Sequence, residues 1–387
     1  MGYSVRVDSV PRDDSGFAYE KSAAVCWQRF SFSGAMKKLK SSKARQQGQL
    51  VADFLAGSWR ATQARLEISL SDLERVSSLL YNSGGTGLAW WRIHESDLAA
   101  TACGELLHQG YRLQALQTAI NEERILRAFR LLRGAEIEPI LVKGWAAAQF
   151  YPHQTFRPYG DIDLVVRPAD YATAREALMR DEGGAWWVDL HKGLPELDDR
   201  SLEGLFERSQ TLALQDVTIR VLSFEDHLAL LAIHLFKHGG WRPTWLCDIA
   251  AMVEALPEDF EASICLGSNK NRAAWIACGI NLAHQLLGAN VGGLGLEVQQ
   301  EDLPQWIVRA VLEQWGNLFQ AVHLPVQPRP LMWYAFRSPK KLITEIRERW
   351  PRPIVATFNL RGRPNNLPRL PYQLGAFAAQ AGRYLFN

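Results

Sequence analysis

The chain has 387 residues, 47% of them hydrophobic and 22% charged, with a formal net charge of +2. That is enough apolar chain for a sizeable core in two or three domains, and too little positive charge to indicate nucleic acid as a partner on electrostatic grounds. Five scattered cysteines with no C-x-x-C pair exclude a zinc knuckle or a disulfide framework and fit reduced thiols in a cytoplasmic compartment. The stretch from Met1 to Glu20 is polar and lacks the apolar core of a signal peptide, and no apolar run is long enough for a transmembrane segment.

Residues 1–50 are rich in Ser, Arg, Lys and Gln and carry little periodicity, so a poorly ordered or peripheral arm is expected. Its basic run from Lys37 to Arg45 has the composition of a solvated arm, with phosphate binding as the alternative. Residues 51–110 follow a mostly helical pattern that Gly84-Gly85-Thr86-Gly87 interrupts. Leu113, Leu116, Ile120, Ile125, Phe129 and Leu132 recur at helical spacing, and Arg133-Gly134 closes that helix. The period then changes. Residues 137–143 predict a strand, and Gly144 opens a short helix through Tyr151. Residues 160–166 predict a second strand, 168–180 a helix with Asp170 as N-cap, and 185–191 a third strand. Residues 211–214 and 217–222 predict a hairpin about Gln215-Asp216. Residues 111–223 therefore form an α/β unit of about 110 residues. Residues 224–387 return to helix, at 225–238, 245–256, 272–287 and 373–385, with a Pro-, Arg- and Trp-rich stretch over 325–371. The expected fold class is α+β, a small mixed-sheet domain flanked by helical regions.

Within the second strand, Arg157-Pro-Tyr-Gly-Asp-Ile-Asp-Leu-Val-Val166 places two carboxylates two residues apart in an apolar, β-branched run. Successive strand side chains alternate faces, so Asp161 and Asp163 share one face while Ile162 and Leu164 enter a core. Adjacent like charges become favourable around a divalent cation, and hard carboxylate oxygens suit Mg²⁺ or Mn²⁺. Asp189, on the third strand, supplies a third acid. Three acids on two strands are the set that two-metal phosphoryl transfer requires. Lys143-Gly144 falls where strand turns to helix, a place where phosphate approaches backbone N–H groups, and Lys143 and Arg157 add positive charge. His191 shares a strand face with Asp189 and is a candidate auxiliary residue. His227, His234 and His238 fall on one stripe of a helix. Packing beside the site is the expectation for them, with zinc at His234/His238 the alternative and substrate contact open to Lys237 and His238.

The segment Leu141-Val-Lys-Gly-Trp-Ala-Ala-Ala-Gln-Phe-Tyr151, with Arg157 and Gly160-Asp-Ile-Asp-Leu-Val-Val166, resembles uncharacterised bacterial nucleotidyltransferases of the DNA polymerase β superfamily. Val188-Asp-Leu-His191, Phe224-Glu-Asp-His-Leu-Ala-Leu-Leu-Ala-Ile-His234, His238 and Trp245-Leu-Cys-Asp248 extend the likeness over roughly residues 110–290. The resemblance implies a polymerase β-like domain and transfer of a nucleoside monophosphate from an NTP, the acceptor and oligomeric state left open. It implies that Asp161 and Asp163 ligate metal, that Asp189 is the third carboxylate, and that Gly144 belongs to a phosphate loop. Trp145 stands where the superfamily usually has Ser. Its indole either packs beneath the loop or faces the nucleotide pocket. Two rival functions accompany this reading: a nucleotide-binding protein of the same fold without turnover, and a toxin-like enzyme that modifies tRNA or protein.

Overall fold

A computed structural model describes residues 41–62, 66–180, 187–295, 303–317, 346–347 and 349–385. The first helix, α1 (Ser41–Leu55), begins inside the stretch expected to be a peripheral arm. It buries Ala44, Gly48, Val51, Ala52, Phe54 and Leu55, because a helix more than 250 residues later in the chain covers that face. The remainder of the arm lies outside the described residues. α2 (Leu70–Ser83) ends at Gly84, whose φ of 81° is the left-handed conformation that closes a helix without a Cβ penalty. α3 (Thr86–Ile93) follows at once.

The helix expected over 113–132 runs much further, as α4 (Ala102–Gly134), capped by Thr101 Oγ1, which accepts from Gly104 N at 3.1 Å. Its N-terminal half is also turned differently from the apolar stripe. Leu113, Leu116 and Ile120 are 51%, 60% and 41% exposed, whereas Gln114, Thr118 and Asn121 are buried. The buried amides face backbone that needs partners. Gln114 accepts from Gly87 N and donates to Gly84 O, and Asn121 donates to Tyr159 O at 2.7 Å. Satisfying those groups outweighs burying two leucines.

The expected strand over 137–143 is β1 (Ile140–Val142). Ile137 N instead closes α4 on Leu132 O, and Pro139 has no N–H to give. α5 (Gly144–Ala148), β2 (Ile162–Val165), α6 (Tyr171–Met179), β3 (Val188–His191), α7 (Leu202–Arg208), β4 (Gln210–Leu214) and β5 (Val217–Val221) follow. The five strands form one mixed sheet in the order β3-β2-β1-β5-β4. β1 pairs antiparallel with β2 and parallel with β5; β2 pairs parallel with β3; β4 and β5 form the expected hairpin, with Gln215 at φ 52° in the turn. Asp170 occupies the N-cap position of α6, but its side chain makes no capping hydrogen bond.

The helical region continues as α8 (Phe224–Lys237), α9 (Pro243–Glu254), α10 (Ala262–Leu266), α11 (Lys270–Leu287), α12 (Gln305–Trp315), α13 (Pro353–Asn359) and α14 (Leu370–Leu385). α12 is the helix that covers α1. Alternation along the strands divides the core in two. Leu141, Ile162, Leu164 and Val188 pack on one face against Ile125, Leu126, Phe129 and Leu132 of α4 and Ala174 and Leu178 of α6. Ile140, Val142 and Val165 pack on the other, in a cluster that also takes in α1, α2, α8, α9, α11 and α12. The helices before and after the sheet thus share one core. Among the described residues no helix is long and apolar enough to cross a membrane.

Candidate active site

β1 ends at Val142, and the chain turns through Lys143-Gly144 into α5. Both residues have positive φ, 58° at Lys143 and 31° at Gly144. Glycine adopts this readily. A lysine held there carries backbone strain of roughly 1–3 kcal/mol, the kind that surrounding contacts must hold in place. One such contact is direct: Lys143 Nζ lies 3.1 Å from Asp163 Oδ1, with both side chains about 15% exposed.

The parallel pairing of β2 and β3 sets Asp163 opposite Asp189 and Val165 opposite His191. Residues in register share a face, so the two acids stand side by side with His191 beyond them. His191 Nε2 lies 3.1 Å from Asp163 Oδ1 and 3.3 Å from Asp189 Oδ2. One ligand atom from each of Asp163, Asp189 and His191 falls within 4.8 Å of the others. His191, expected as an auxiliary residue, is thus a member of the central group. Asp161 sits just before the first residue of β2, exposed, and outside that group.

The charges are strongly coupled. Burial opposes ionisation of Asp163, but Lys143 and the hydrogen bond with His191 outweigh it and hold the carboxyl well below the usual range. Burial likewise opposes a charge on His191, yet its bonds to Asp163 and Asp189 raise its pKa to about 9. Asp161 is pushed the other way, up to about 6, by desolvation and then by the charges of Asp163 and Asp189. Two acids in one D-x-D therefore have opposite electrostatic characters, because among the described residues Asp163 has cations within ion-pair distance and Asp161 feels Lys143 and Arg242 only more weakly.

The rim combines the turn after β3 with the helical region. Buried Glu196 accepts from Lys237 Nζ at 2.5 Å and also feels Lys143. His234 and His238 lie 4.5 Å apart, and both rings pack on Trp245, at 4.6 and 5.4 Å. Burial pushes the His238 pKa down to about 4 and that of His234 well below the usual histidine value, so both are neutral at pH 7. No third ligand joins them in a metal-capable group among the described residues, and packing is their role in the fold. His227 is buried at 3% exposure near Phe150.

Packing accounts for the surroundings of two further candidates. Arg157, expected to add positive charge for phosphate, is engaged inside the protein. It is 6% exposed and bonds Asp248 through Nε and Nη2, at 3.1 and 2.7 Å, while Tyr151 Oη donates to the same carboxylate at 2.8 Å. Asp248 is fully buried and would be unpaired without them. Trp145 is 1% exposed in the cluster of Leu141, Ile162 and Leu164, across the sheet from Asp163, so its indole is core. Glu196 and Arg242 were not singled out from sequence, and Asp248 was noted only as part of the resemblance, without a role. Glu196 and Arg242 reach the site only through tertiary packing, and nothing local in the sequence links Arg157 to Asp248, ninety-one residues away.

The sequence model of a family described as "uncharacterised nucleotidyltransferase" matches residues 69–288, more than half of the chain and all of the residues above. No curated protein and no solved structure matches.

Proposed function

Because the chain belongs to this nucleotidyltransferase family, we propose that it is a polymerase β-like enzyme that moves a nucleoside monophosphate from an NTP to an acceptor hydroxyl or phosphate. The acceptor oxygen forms a bond to the α-phosphorus, the bond from that phosphorus to the bridging oxygen breaks, and pyrophosphate leaves. The observation that carries the reading is the direct pairing of Asp163 with Asp189 on adjacent parallel strands.

The donor set fits a divalent cation of the Mg²⁺ or Mn²⁺ type. The carboxylate oxygens of Asp163 and Asp189 lie within 4.8 Å of each other and of His191, and carboxylates are the hard donors such an ion takes. Lys143 and His191 already stand against Asp163, which marks the place where positive charge is needed. Asp161, Asp163 and Asp189 would hold the metal, with His191 beside them. When bound, it would supply Lewis-acid polarisation of the α-phosphate and charge neutralisation of the leaving group. The chain's own residues then divide the work. Lys143, pinned at the strained turn with Gly144, sets positive charge beside the phosphates. Asp189, at 40% side-chain exposure the more open of the paired acids, faces the acceptor and orients its attacking oxygen. His191 keeps its proton between Asp163 and Asp189 and limits their mutual repulsion.

One observation favours a second reading, a nucleotide-binding protein without turnover: the Lys143 ammonium already neutralises Asp163 at 3.1 Å. Calorimetric titration with the four common NTPs, with and without Mg²⁺, followed by a pyrophosphate-release assay across candidate acceptors, separates the two. Mg²⁺-dependent binding and release that Asp163→Asn abolishes supports transfer. Binding without release for any acceptor supports the second reading, and no binding at all overturns both.

A further inference from the structure

Arg242 precedes α9 and lies over two indoles, its Cζ 4.8 Å from the Trp241 ring and 5.2 Å from that of Trp245. Trp245 is the ring on which His234 and His238 of the site's rim pack. The guanidinium is thus held by cation–π contact at the rim, and it lies close enough to Asp161 for each to feel the other's charge. Yet no carboxylate among the described residues lies within ion-pair distance of it, and its Nε is buried with no hydrogen-bond partner. Two other arginines of the interior are treated differently: Arg157 has Asp248, and Arg200 has Asp226.

A half-buried guanidinium whose Nε is shut away from water without a partner is unfavourable by itself, because that desolvation is not repaid by a counter-charge. Burial and then Arg157 push its pKa down, but only to about 10, so it remains a cation at neutral pH. The other cations of the site are committed, Lys143 to Asp163, Lys237 to Glu196 and Arg157 to Asp248. A nucleoside triphosphate brings more negative charge than those groups can meet. The planar fork of arginine matches phosphate oxygens with two parallel hydrogen bonds.

We propose that Arg242 binds the β- and γ-phosphates, the half of the NTP that leaves as pyrophosphate. This rests on the nucleotidyl-transfer reading above and adds to it the residue that recognises the leaving group. Arg242 is then a substrate-binding residue drawn from the helical region, so the sheet supplies the acids and the region after α8 supplies the phosphate clamp.

The test compares wild type, Arg242→Gln and Arg242→Lys by calorimetry with Mg²⁺ present, using NTPs, the matching NMPs and inorganic tripolyphosphate as probes. Thermal melts check that each variant is folded. Loss of a charge-assisted pair should weaken NTP and tripolyphosphate binding in Arg242→Gln by about 10- to 100-fold, leave NMP binding within about twofold, and leave Mg²⁺ binding unchanged. Arg242→Lys should recover part of the loss. Equal weakening of NMP and NTP, or unchanged NTP affinity in a folded Arg242→Gln protein, overturns the assignment. If Arg242→Gln does not fold, Arg242→Lys decides: unchanged NTP affinity there overturns it, and a severalfold loss specific to the triphosphate supports it. If wild type binds neither NTP nor tripolyphosphate, the transfer reading fails first and the assignment falls with it. Wild-type binding with an indifferent Arg242 sinks the assignment alone.

Discussion

Asp161 and Asp163 stand two residues apart, yet replacing each with Asn should move stability in opposite directions when a chelator is present. Asp163 Oδ1 lies 3.1 Å from both Lys143 Nζ and His191 Nε2. Without that carboxylate, a mostly buried ammonium loses its counter-charge. Charge-assisted hydrogen bonds contribute about 1.5–3 kcal/mol each, and the two cations share one oxygen, so Asp163→Asn should cost about 2–4 kcal/mol at pH 7. Asp161 has no ion-pair partner among the described residues, and its pKa is raised from 3.8 to about 6 by desolvation and then by Asp163 and Asp189. For an acid whose folded pKa is raised, the favourable form is the protonated one. Its contribution is fully present below the unfolded value of 3.8 and is lost as pH rises through about 6. Asn copies the protonated form at every pH, so Asp161→Asn should stabilise the protein at pH 8 and have almost no effect at pH 4. The gap between 3.8 and about 6 corresponds to at most about 3 kcal/mol, which solvent screening at this exposed residue reduces to about 1 kcal/mol. Both variants should lose about tenfold or more in Mg²⁺ or Mn²⁺ affinity. Urea unfolding in EDTA from pH 4 to 8 and metal titration by calorimetry read these outcomes. Stability shifts of the same sign, or wild-type metal affinity in Asp163→Asn, would refute the electrostatic account.

Asp189→Asn should lower kcat with little change in NTP affinity, since the acceptor-side acid acts in the transition state; a collapse of nucleotide binding with turnover per bound nucleotide retained assigns it elsewhere. Trp145→Ser removes the largest fully buried side chain and should cost about 3–5 kcal/mol without tightening NTP binding, as melts and titrations would report. Asp248→Ala strands the buried Arg157 and should cost about 3–5 kcal/mol; a stable variant whose only defect is phosphate affinity would return Arg157 to the nucleotide. His227, buried with Nε2 unpartnered, has its pKa lowered from 6.5 to about 4, by burial above all. Its depressed value means that stability is full above about 6.5 and falls on acidification towards 4. His227→Gln should remove about one proton's worth of slope, about 1.4 kcal/mol per pH unit, between those limits, and an unchanged slope in denaturant titrations rejects the buried neutral imidazole.

Local pattern was enough for much of the sheet. The alternating run at 160–166 and the turn at Gln215-Asp216 appear as β2 and as the β4–β5 hairpin, because period-2 alternation and turn residues are short-range signals. The helices α8, α9 and α11 were legible for the same reason, with boundaries shifted by a residue or two. The face of α4 was not. Apolar spacing favoured Leu113, Leu116 and Ile120, but polar backbone at Gly84, Gly87 and Tyr159, distant in sequence, required Gln114 and Asn121 on the inside. Periodicity weighs apolar area and is blind to a hydrogen-bond demand made by another segment.

The candidate site divides along the same line. That Asp163 lies on a strand beside a glycine-bearing turn followed from the sequence alone, whereas Asp161, just before β2, falls outside the group that Asp163 joins. Which of the two acids is neutralised, and which is left bearing repulsion, did not follow. That depends on Lys143 reaching Asp163 from a strained turn, and on a parallel register that sets Asp189 and His191 alongside. Arg157 and Arg242 are alike as residue types and were separable only in three dimensions. One meets the buried Asp248, ninety-one residues away, and is consumed by it. The other is stacked on two indoles, with no acid among the described residues within ion-pair distance. A charge's role is decided by the counter-charge that the fold brings to it, and chain-distant pairing of that kind carries no local signature.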